Sequence, residues 1–461
     1  MASAAVVLAA GQGTRMRSRL PKVLHPVAGR PMLEHVLAAL AEAGIEQRVV
    51  VVGHGADEVE AALEGRVTTV RQESQQGTAD AVRIGLERIA AETQQVVVAM
   101  GDAPLVPGAL FAELLRAQAA DGACVALLAS RLDDPTGYGR IVRDADGSVS
   151  RIVEEQDADP ATLMLDEVNA GTYVFDAAWL RANIGAVPVA PSGEHYLTDL
   201  VEMAASSGGR VVAINAPRGE LAMGINDRSG LAAAERFLRG EIAARHMRNG
   251  VTIVDPSSTF IDAGVEIGGD TRIEPWTVLS GATRIAEEAV IGPGSQVLDS
   301  RIGARTRVWA SVVESSTVAE DVEIGPHSHI RPGCEIGPRC RIGNFAELKK
   351  TRVGADTQVH HFSYLGDAEI GEGVNIGAGA ITANFDGSVK HRTTIGDGAF
   401  IGVDTMLRAP VSIGPGARTG AGAVVTRDVP AGETVVGMPA RRIRTRRRNP
   451  QPGGSSARDD A

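Results

Sequence analysis

Aliphatic residues recur at every sixth position over much of the second half of the chain. A helix repeats after ~3.6 residues and a half-buried strand after ~2, so neither explains this period. A hexapeptide β-helix does, because the periodic side chain of each hexad points inward. The period slips by one residue in places and fails between Thr382 and Thr394. It runs through Ile267, Ile273, Leu279, Ile285, Ile291 and Val297, then Ile324, Ile330, Ile336, Ile342 and Leu348, then Ile395, Ile401, Leu407, Ile413, Thr419 and Val425. We therefore predict a parallel β-helix domain over residues 251–440.

Residues 1–226 instead alternate short apolar runs with amphipathic stretches. Buried parallel strands are predicted at 4–10, 48–52 and 95–100, and helices at 31–44, 77–91 and 107–120. This alternation is typical of an α/β Rossmann-like sheet with helices on both faces, in which ligands bind beyond the C-terminal ends of the strands. A helical linker is predicted over 227–250, and an Arg-rich, disordered tail over 441–461.

Composition narrows the class of protein. A chain of 461 residues is too long for one ordinary core, which agrees with two domains. The net charge of −11 argues against a nucleic-acid binder. Three cysteines without metal-like spacing suggest a reducing compartment, and therefore the cytoplasm. No apolar run reaches the ~20 residues that membrane insertion requires, and the run at 4–10 lacks the preceding basic residues of a signal peptide.

A glycine-rich loop follows the first predicted strand. Gly11 and Gly13 are followed by Thr-Arg-Met and then by Pro21-Lys22. Such a loop lets backbone N–H groups approach phosphate oxygens. Met16 stands where a dinucleotide fingerprint requires its third glycine, which disfavours a nicotinamide site. Together the residues resemble the signature of nucleotide-sugar pyrophosphorylases, which join a sugar 1-phosphate to a nucleoside triphosphate.

This resemblance implies a UTP and sugar-nucleotide site. Asp102 lies at the end of a predicted strand, and alone it could be a cap or turn residue. The resemblance implies instead that Asp102 and Asn226 are ligands of Mg²⁺. This ion prefers oxygen ligands, which it shares with phosphates. A Gln72 amide can pair with a uracil edge because it offers donor and acceptor. The implied contacts are Leu8, Ala9, Ala10, Gly11, Arg15, Lys22, Gln72, Gly77, Thr78, Met100, Gly101, Asp102, Gly139, Glu154, Asn169 and Asn226.

The segments around the failing hexad period carry a second resemblance. His360-His361-Phe362, Asn375 to Gly379 and Thr382 to Gly387 resemble the acetyltransferase half of the bacterial bifunctional uridylyltransferase/acetyltransferases that make UDP-N-acetylglucosamine. The resemblance covers nearly the whole chain apart from the tail. It implies left-handed coils and a homotrimer built through the β-helix, with active sites between neighbours.

The resemblance also assigns roles in acetyl transfer. An attacking amine must be neutral, so a base is needed, and histidine suits this with an unperturbed pKa of ~6.5. The position that matches the family's base is His361, and successive side chains on a strand face opposite ways, which separates it from His360. The implied sugar-phosphate contacts are Arg331, Glu347, Lys349, Tyr364 and Asn375; the implied acetyl-CoA contacts are Ala378, Asn384, Phe385, Val403 and Ala421.

Three positions depart from the family pattern and bear on cofactor affinity. Phe385 stands where a tyrosine is common, and Val403 stands where a serine contacts the cofactor. The family has an arginine near Met438, for which Arg441 is the candidate here.

The leading hypothesis is a bifunctional enzyme that acetylates glucosamine 1-phosphate with acetyl-CoA and then couples the product to UTP, supplying peptidoglycan and, in Gram-negative cells, lipid A. One alternative is a single-function nucleotidyltransferase in which the β-helix serves only as a scaffold. A second is a non-enzymatic sugar-nucleotide sensor.

Overall fold

The computed structural model describes residues 1–191 and 193–443. Its contacts divide the chain into two compact units between Ile242 and Ala243. The stretch predicted as a linker forms helix α8, Arg228–Arg248, and the division falls within it. Within the described residues, no helix is both long and apolar enough to cross a membrane.

The first unit is an α/β domain with one large sheet. Its strands are β1 Ser3–Ala9, β2 Pro26–Val27, β3 Arg30–Pro31, β4 Gln47–Val52, β5 Thr68–Arg71, β6 Gln95–Met100, β7 Val125–Arg131, β8 Arg140–Arg143, β9 Val149–Val153, β10 Glu167–Asp176 and β11 Val211–Asn215. Its helices before α8 are α1 Met32–Glu42, α2 Ala56–Leu63, α3 Thr78–Leu86, α4 Gly108–Asp121, α5 Pro160–Leu163, α6 Ala177–Asn183 and α7 Asp199–Ser206. Short 3-10 turns occur at Thr14–Met16, Lys22–Leu24, Glu155–Asp157, Ile184–Ala186 and Gly219–Ala222.

The central strands follow the order β11-β7-β10-β6-β1-β4-β5. Strands β6, β1, β4 and β5 are parallel, as predicted for the three strands inferred from the sequence, whereas β10 runs antiparallel to β6 and β7. Alternate residues of β1 enter opposite cores: Val6 packs in one and Val7 in the other. Because β1 pairs with β4 on one side and β6 on the other, the order of the strands across the sheet changes direction at β1. The C-terminal ends of β1 and β6 therefore border the expected ligand crevice.

The predicted helix at 77–91 is shorter in the structure, where α3 ends at Leu86. Arg88 and Ile89 donate backbone hydrogen bonds to Gly85 and Leu86, which turns the chain. This turn buries Ile89 in the same core as α3.

The second unit is a left-handed parallel β-helix, in which successive short strands join three parallel sheets in turn. The first face contains β12 Thr252–Ile253, β15 Arg272–Ile273, β18 Val290–Ile291, β21 Arg307–Val308, β24 Glu323–Ile324, β27 Arg341–Ile342, β30 Gln358–Val359, β33 Asn375–Ile376, β36 Phe400–Ile401, β39 Arg418–Thr419, β41 Thr434–Val436 and β42 Arg441–Arg442. The second face contains β13 Phe260–Ile261, β16 Val278–Ser280, β19 Gln296–Leu298, β22 Val312–Glu314, β25 His329–Ile330, β28 Ala346–Lys349, β31 Ser363–Gly366, β34 Ile381–Ala383, β37 Met406–Arg408 and β40 Val424–Val425. The third face contains β14 Glu266–Ile267, β17 Arg284–Ile285, β20 Arg301–Ile302, β23 Thr317–Val318, β26 Glu335–Ile336, β29 Arg352–Val353, β32 Ala368–Ile370, β35 Thr393–Ile395 and β38 Val411–Ile413.

The periodic aliphatic side chains fill the interior of the coils, as the hexad period predicts. Ile273, Leu279 and Ile291 are fully buried, and Thr382 at the start of the failing stretch is buried too. The chain leaves the coil only after β34 and returns at β35. We call residues 384–392 the excursion loop.

The predicted boundary of the tail is wrong by a few residues. Arg441 and Arg442 form β42, which pairs antiparallel with β41, because the chain folds back to satisfy the last strand of the first face. The rest of the predicted disordered tail, 444–461, lies outside the described residues.

Candidate active sites

A cavity of about 480 Å³ opens at the C-terminal ends of β1 and β6. Most of its lining consists of residues predicted for the nucleotide site, and Gln12, Gln75, Ala81 and Glu194 complete it. The predicted residues in the lining are Leu8, Ala10, Gly11, Gln72, Gly77, Thr78, Met100 and Asp102. Ala9 is buried beneath this surface, and Arg15 is exposed on the turn that follows the glycine-rich loop.

Two glycines in this region are required by close packing. Gly13 has a φ of 59°, and a Cβ there would lie 2.7 Å from the Cβ of Lys22. A Cβ on Gly101 would lie 3.0 Å from the carbonyl oxygen of Leu8, to which the Gly101 N–H donates at 2.9 Å. The glycine-rich loop can therefore lie directly over the Lys22 side chain, and β6 can end close against β1.

The predicted base-reading segment is fixed by internal hydrogen bonds. The Gln72 amide nitrogen donates to Asp80 Oδ2 at 2.8 Å and to the carbonyl oxygen of Gly77 at 3.2 Å. Both of its N–H groups are thus committed within the protein. This leaves the carbonyl oxygen of Gln72 as the group that can accept from an imide N–H of uracil, so the expected donor-and-acceptor pairing is reduced to an acceptor.

Gly77 joins this segment to a distant part of the chain. Its φ is 106°, and a Cβ would collide with the main chain of His195, whose nitrogen would be only 2.6 Å away. Around it, Ala79 N–H donates to the His195 oxygen at 3.0 Å, and His195 N–H donates to the Gln76 oxygen at 2.8 Å. The Thr78 hydroxyl oxygen accepts from Leu197 N–H at 3.0 Å. The 195–197 segment, which follows the lining residue Glu194, therefore packs behind the cavity residues Gly77 and Thr78, and the sequence did not indicate it.

The two residues predicted as Mg²⁺ ligands converge on one point. Ile225 N–H donates to the Asp102 backbone oxygen at 3.0 Å, which holds Asn226 beside Asp102. The Lys22 ammonium donates to Asn226 Oδ1 at 2.8 Å and forms an ion pair with Asp102 Oδ2. Because one cation already bridges both oxygens, the pair is spaced to hold a cation. Within the described residues, no group of three or more His, Cys, Asp or Glu side chains is arranged to hold a metal ion. Two protein oxygens would leave several coordination positions for water and phosphate, as Mg²⁺ prefers.

Among the residues implied by the resemblance, Gly139, Glu154 and Asn169 are the expected contacts to the sugar. They lie in the loop before β8, directly after β9 and on β10, respectively. Asn169 donates to the Tyr173 hydroxyl at 2.7 Å and accepts from Gly171 N–H at 3.0 Å. The Thr198 hydroxyl donates to Glu154 Oε1 at 3.1 Å, and burial raises the pKa of the Glu154 carboxyl despite that bond. A Cβ on Gly139 would lie 3.4 Å from Glu154 Oε2. The structure thus brings Gly139 and Glu154 together, with Asn169 linked through its N–H to the Gly139 oxygen at 2.9 Å.

Tyr138 is a further residue of this region that the sequence did not single out. Its phenol contacts the Gly224 backbone close to Asp102, and burial is the main cause that raises the Tyr138 pKa. It therefore connects the sugar-side loop with the segment that carries Asn226. The sequence could have indicated Tyr138, because it directly precedes the expected sugar contact Gly139.

In the β-helix, cationic side chains gather on the second face. Arg331 forms an ion pair with Glu347 at 2.7 Å, and Glu347 is paired in register with Tyr364 on the next coil. The neighbouring Lys390 ammonium lowers the pKa of Lys349, and Arg331 lowers it further. Lys390 was not predicted; it lies in the excursion loop, and only the folding of that loop brings it to Lys349.

Asn384 lies with this cluster. Its amide donates to Asp367 Oδ2 at 2.5 Å, and a Cβ on Gly366 would lie 2.8 Å from its nitrogen and 2.5 Å from the Tyr364 hydroxyl. The predicted cofactor contact Asn384 therefore lies beside predicted sugar contacts, where the second face meets the third. Phe385 is exposed in the same loop.

The other predicted acetyltransferase residues stack along the opposite border of the second face, where it meets the first. We call this border, formed by residues 344–345, 360–362, 377–379, 402–404 and 420–422, the His361 edge. Gly379 N–H donates to Phe362 O at 2.7 Å, Asp404 N–H to Ala378 O at 2.7 Å and Gly422 N–H to Val403 O at 2.8 Å. His361, Ala378, Val403 and Ala421 thus occupy successive coils of one edge, with His361 exposed.

Asn375 lies on the first face, and the ring of His360 turns from the His361 edge toward that face. The His360 ring bonds to Gln358 at 2.6 Å, and Gln358 pairs in register with Asn375. Arg441 is exposed on the same face. The predicted acetyltransferase residues of one chain are therefore distributed over two faces and two edges, and they do not form one enclosed cavity.

Comparisons with known proteins cover both units. A model of the MobA-like NTP transferase domain matches residues 5–159, and a model of the bacterial transferase hexapeptide (six repeats) matches residues 315–350 and 392–427. The bifunctional protein GlmU of Heliobacterium modesticaldum is 46% identical over 433 residues, which are 94% of this chain and 94% of that protein. That of Geobacillus thermodenitrificans is 46% identical over 434 residues, covering 94% and 95%. That of Listeria monocytogenes is 44% identical over 427 residues, covering 92% and 93%.

Proposed function

The chain belongs to the family of bifunctional GlmU proteins, and we propose here the residues with which it carries out its two reactions. It is an enzyme of UDP-N-acetylglucosamine synthesis that acetylates glucosamine 1-phosphate with acetyl-CoA and transfers uridylyl from UTP to N-acetylglucosamine 1-phosphate. The observation that carries this conclusion is the similarity over 94% of the chain, which includes both units. It gives no support to a β-helix that serves only as a scaffold.

Uridylyl transfer takes place in the cavity beside β1 and β6. A phosphate oxygen of the sugar phosphate attacks the α-phosphorus of UTP, the bond from that phosphorus to the bridging oxygen of the β-phosphate breaks, and pyrophosphate leaves. The attacking oxygen is already anionic, so no general base is required; charge neutralisation and in-line placement are. The glycine-rich loop, Arg15 and Lys22 supply positive charge to the triphosphate.

Mg²⁺ is the proposed metal of this site, where Asp102 and Asn226 would hold it. When bound, it adds positive charge next to the reacting phosphates. Uracil is recognised by the carbonyl oxygen of Gln72, with Gly77 and Thr78 on the same segment. At the other end, Gly139, Glu154 and Asn169 contact the sugar.

Acetyl transfer takes place on the β-helix beside the His361 edge. His361 removes a proton from the neutral amine of glucosamine 1-phosphate as the amine nitrogen attacks the thioester carbonyl of acetyl-CoA. The carbon–sulfur bond then breaks, and the departing thiolate takes the proton held by His361 to leave as the thiol. Backbone N–H near Ala378 stabilises the oxyanion. Arg331 and Lys349 bind the sugar phosphate with Glu347, Tyr364 and Asn375, while Ala378, Asn384, Phe385, Val403 and Ala421 contact acetyl-CoA.

The acetyltransferase acts as a homotrimer, in which a neighbouring chain completes each site. Side chains on two outer faces of a triangular prism diverge, so the residues of one chain cannot surround a substrate by themselves. The border between the first and second faces also exposes aromatic side chains: Trp276 is 71% exposed, Trp309 48% and Phe362 58%. An exposed apolar ridge of this kind suits burial against another copy of the chain. The substrates UTP and acetyl-CoA favour a cytoplasmic location.

One assay tests both reactions. Purified protein is mixed with glucosamine 1-phosphate, acetyl-CoA, UTP and Mg²⁺, and the products are followed by mass spectrometry as each component is omitted. Lys22→Ala should strongly reduce uridylyl transfer and leave acetyl transfer intact. His361→Ala should abolish acetyl transfer and leave uridylyl transfer intact when N-acetylglucosamine 1-phosphate is supplied in place of glucosamine 1-phosphate. A His361→Ala protein that still acetylates at the wild-type rate would refute the assignment of the base.

A further inference from the structure

We propose that Lys22 and the divalent cation exchange places: the Lys22 ammonium occupies the cation position between Asp102 and Asn226 until the metal displaces it toward the nucleotide phosphates. This inference deepens the proposed uridylyltransferase site and rests on its metal assignment. In the proposed exchange, the Lys22 side chain moves between two positions.

First, the ammonium group of Lys22 lies between the two oxygens that would hold the metal. Its ammonium bridges Asn226 Oδ1, at 2.8 Å, and Asp102 Oδ2. The Lys22 side chain is only 12% exposed and that of Asp102 only 25%, so the pair is shielded from solvent more than ordinary surface ion pairs. The ammonium thus holds the cation position by the same two oxygens that a metal would use.

The second step is that the ammonium and a metal ion exclude each other there. Mg²⁺ binds oxygen ligands at about 2.0–2.1 Å. A cation at that distance from both oxygens would lie within about 5 Å of the bound ammonium, with no water layer between the two positive charges, and would repel it. The two oxygens themselves remain together when Lys22 leaves, because the backbone bond from Ile225 to Asp102 holds the two segments.

The third step concerns the destination of the released ammonium. The Lys22 Cβ packs under Gly13 of the glycine-rich loop, which has no Cβ to keep it away. A flexible lysine stem can therefore swing between Asp102 and phosphates bound along that loop without moving its backbone. The metal and the triphosphate then cooperate, because the triphosphate gives the displaced ammonium a new anionic partner.

Composition supports a specific need for lysine at this position. Of the 46 basic Lys and Arg residues only four are lysines, namely Lys22, Lys349, Lys350 and Lys390. Lys22 is therefore the single lysine of the first unit. An ammonium is a compact point charge that can replace a metal ion between two oxygens, whereas the planar guanidinium of arginine cannot.

The test measures Mn²⁺ binding without nucleotide, by electron paramagnetic resonance. Mn²⁺ serves as the probe because it prefers the same oxygen ligands as Mg²⁺. Lys22→Met should bind Mn²⁺ about tenfold more tightly than the wild type, the size expected when one charge-assisted competitor is lost. Arg15→Met removes the same charge from the neighbouring turn Thr14–Met16 without freeing the two oxygens, and the Mn²⁺ affinity of this variant should differ from that of the wild type by less than about twofold. Adding Asp102→Asn to Lys22→Met should abolish the gain.

Equal affinities for wild type and Lys22→Met, or equal gains for Lys22→Met and Arg15→Met, would overturn the exchange. A gain that survives Asp102→Asn would overturn it as well, because the metal would then bind elsewhere. Uridylyl transfer by the wild type, measured as pyrophosphate release, is independent of these outcomes. Its presence alongside equal Mn²⁺ affinities would reject the exchange alone, whereas its absence would reject the proposed function.

A second measurement needs no variant. Brief acetylation of the wild type with acetic anhydride, read by mass spectrometry of the peptide that contains Lys22, reports how free that ammonium is. Mg²⁺ without nucleotide should accelerate labelling of Lys22 several-fold and leave the exposed Lys350 unchanged as an internal reference. Labelling of Lys22 that does not respond to Mg²⁺ would contradict the exchange.

Discussion

Gly77→Ala should impair uridylyl transfer selectively. The substitution forces a residue with a Cβ to keep a φ of 106° and a ψ of 179°, a region that almost only glycine adopts, at a cost of about 1–2 kcal/mol. The new Cβ would also press on the His195 main chain, which must move away. That displacement weakens two hydrogen bonds, Ala79 N–H to His195 O at 3.0 Å and His195 N–H to Gln76 O at 2.8 Å, each contributing about 1 kcal/mol.

The total is about 3–4 kcal/mol, of which part appears as lost stability and part as lost nucleotide binding. If about 2 kcal/mol falls on the nucleotide-bound state, kcat/KM for UTP drops roughly 30-fold. The assay is pyrophosphate release at subsaturating UTP, and acetyl transfer by the same sample serves as an internal control for folding. Gly147→Ala is the matched variant: its φ is 86°, but a Cβ there meets nothing within 4 Å. Equal losses of kcat/KM in the two variants would show that strain alone, and not the contact with His195, matters.

Three further variants test the β-helix. Thr357→Val should lower the free energy of unfolding by about 2–3 kcal/mol in urea titrations. The reason is that the buried Thr357 hydroxyl donates to Gly371 O at 2.8 Å and accepts from Val374 N–H at 3.1 Å. Thr357→Ser keeps the hydroxyl and should retain most of the stability. Lys390→Gln should move the alkaline fall of kcat/KM for glucosamine 1-phosphate to higher pH, because the side-chain contact with Lys390, followed by its charge, is the main cause that lowers the pKa of Lys349. A fall at the same pH in both proteins would contradict this. Asp386→Asn should reduce acetyl transfer several-fold and speed proteolysis of the excursion loop, because Asp386 accepts from Ser388 and Val389 N–H at 2.8 Å and pairs with His391 at 2.7 Å. These bonds lower the pKa of Asp386 to about 2, so the carboxylate's contribution to stability is present above its unfolded pKa of ~3.9 and is lost as the pH falls toward 2. If protease cleaves the excursion loop of Asp386→Asn as slowly as that of the wild type, the contacts of Asp386 do not hold the loop closed.

The β-helix could be predicted in detail because the six-residue period marks the side chains that are buried inside the coil. One aliphatic side chain per hexad points into the coil, so the sequence reveals both the inward positions and the point after Thr382 where the coil is interrupted. The interior of the excursion loop could not be predicted, since no period acts there. Lys390 approaches Lys349 only because Asp386 and His391 close the loop, and those contacts depend on its three-dimensional turn.

The nucleotide site was predictable to the extent that its residues follow strand ends. Residues after β1 and β6 meet because parallel neighbours end at the same edge of the sheet. The contacts that decide chemistry cross long stretches of sequence: Gly77 with His195, and Lys22 with Asn226. Gln72 illustrates the limit, because the sequence gives an amide, but only its bonds to Asp80 and Gly77 decide which end of that amide remains for a base.

The two sites differ in a way that follows from their folds. The crevice of an α/β sheet is concave, so one chain can surround a nucleotide with residues from the ends of neighbouring strands. The outer surface of a β-helix is convex, so the exposed His361 on one edge and the buried Asn384 on the other edge of the same face lie apart. A β-helix therefore gains a substrate-sized groove chiefly where another surface packs beside it. For this reason the acetyltransferase half should depend on assembly, while the uridylyltransferase half contains its whole cavity within one unit of one chain.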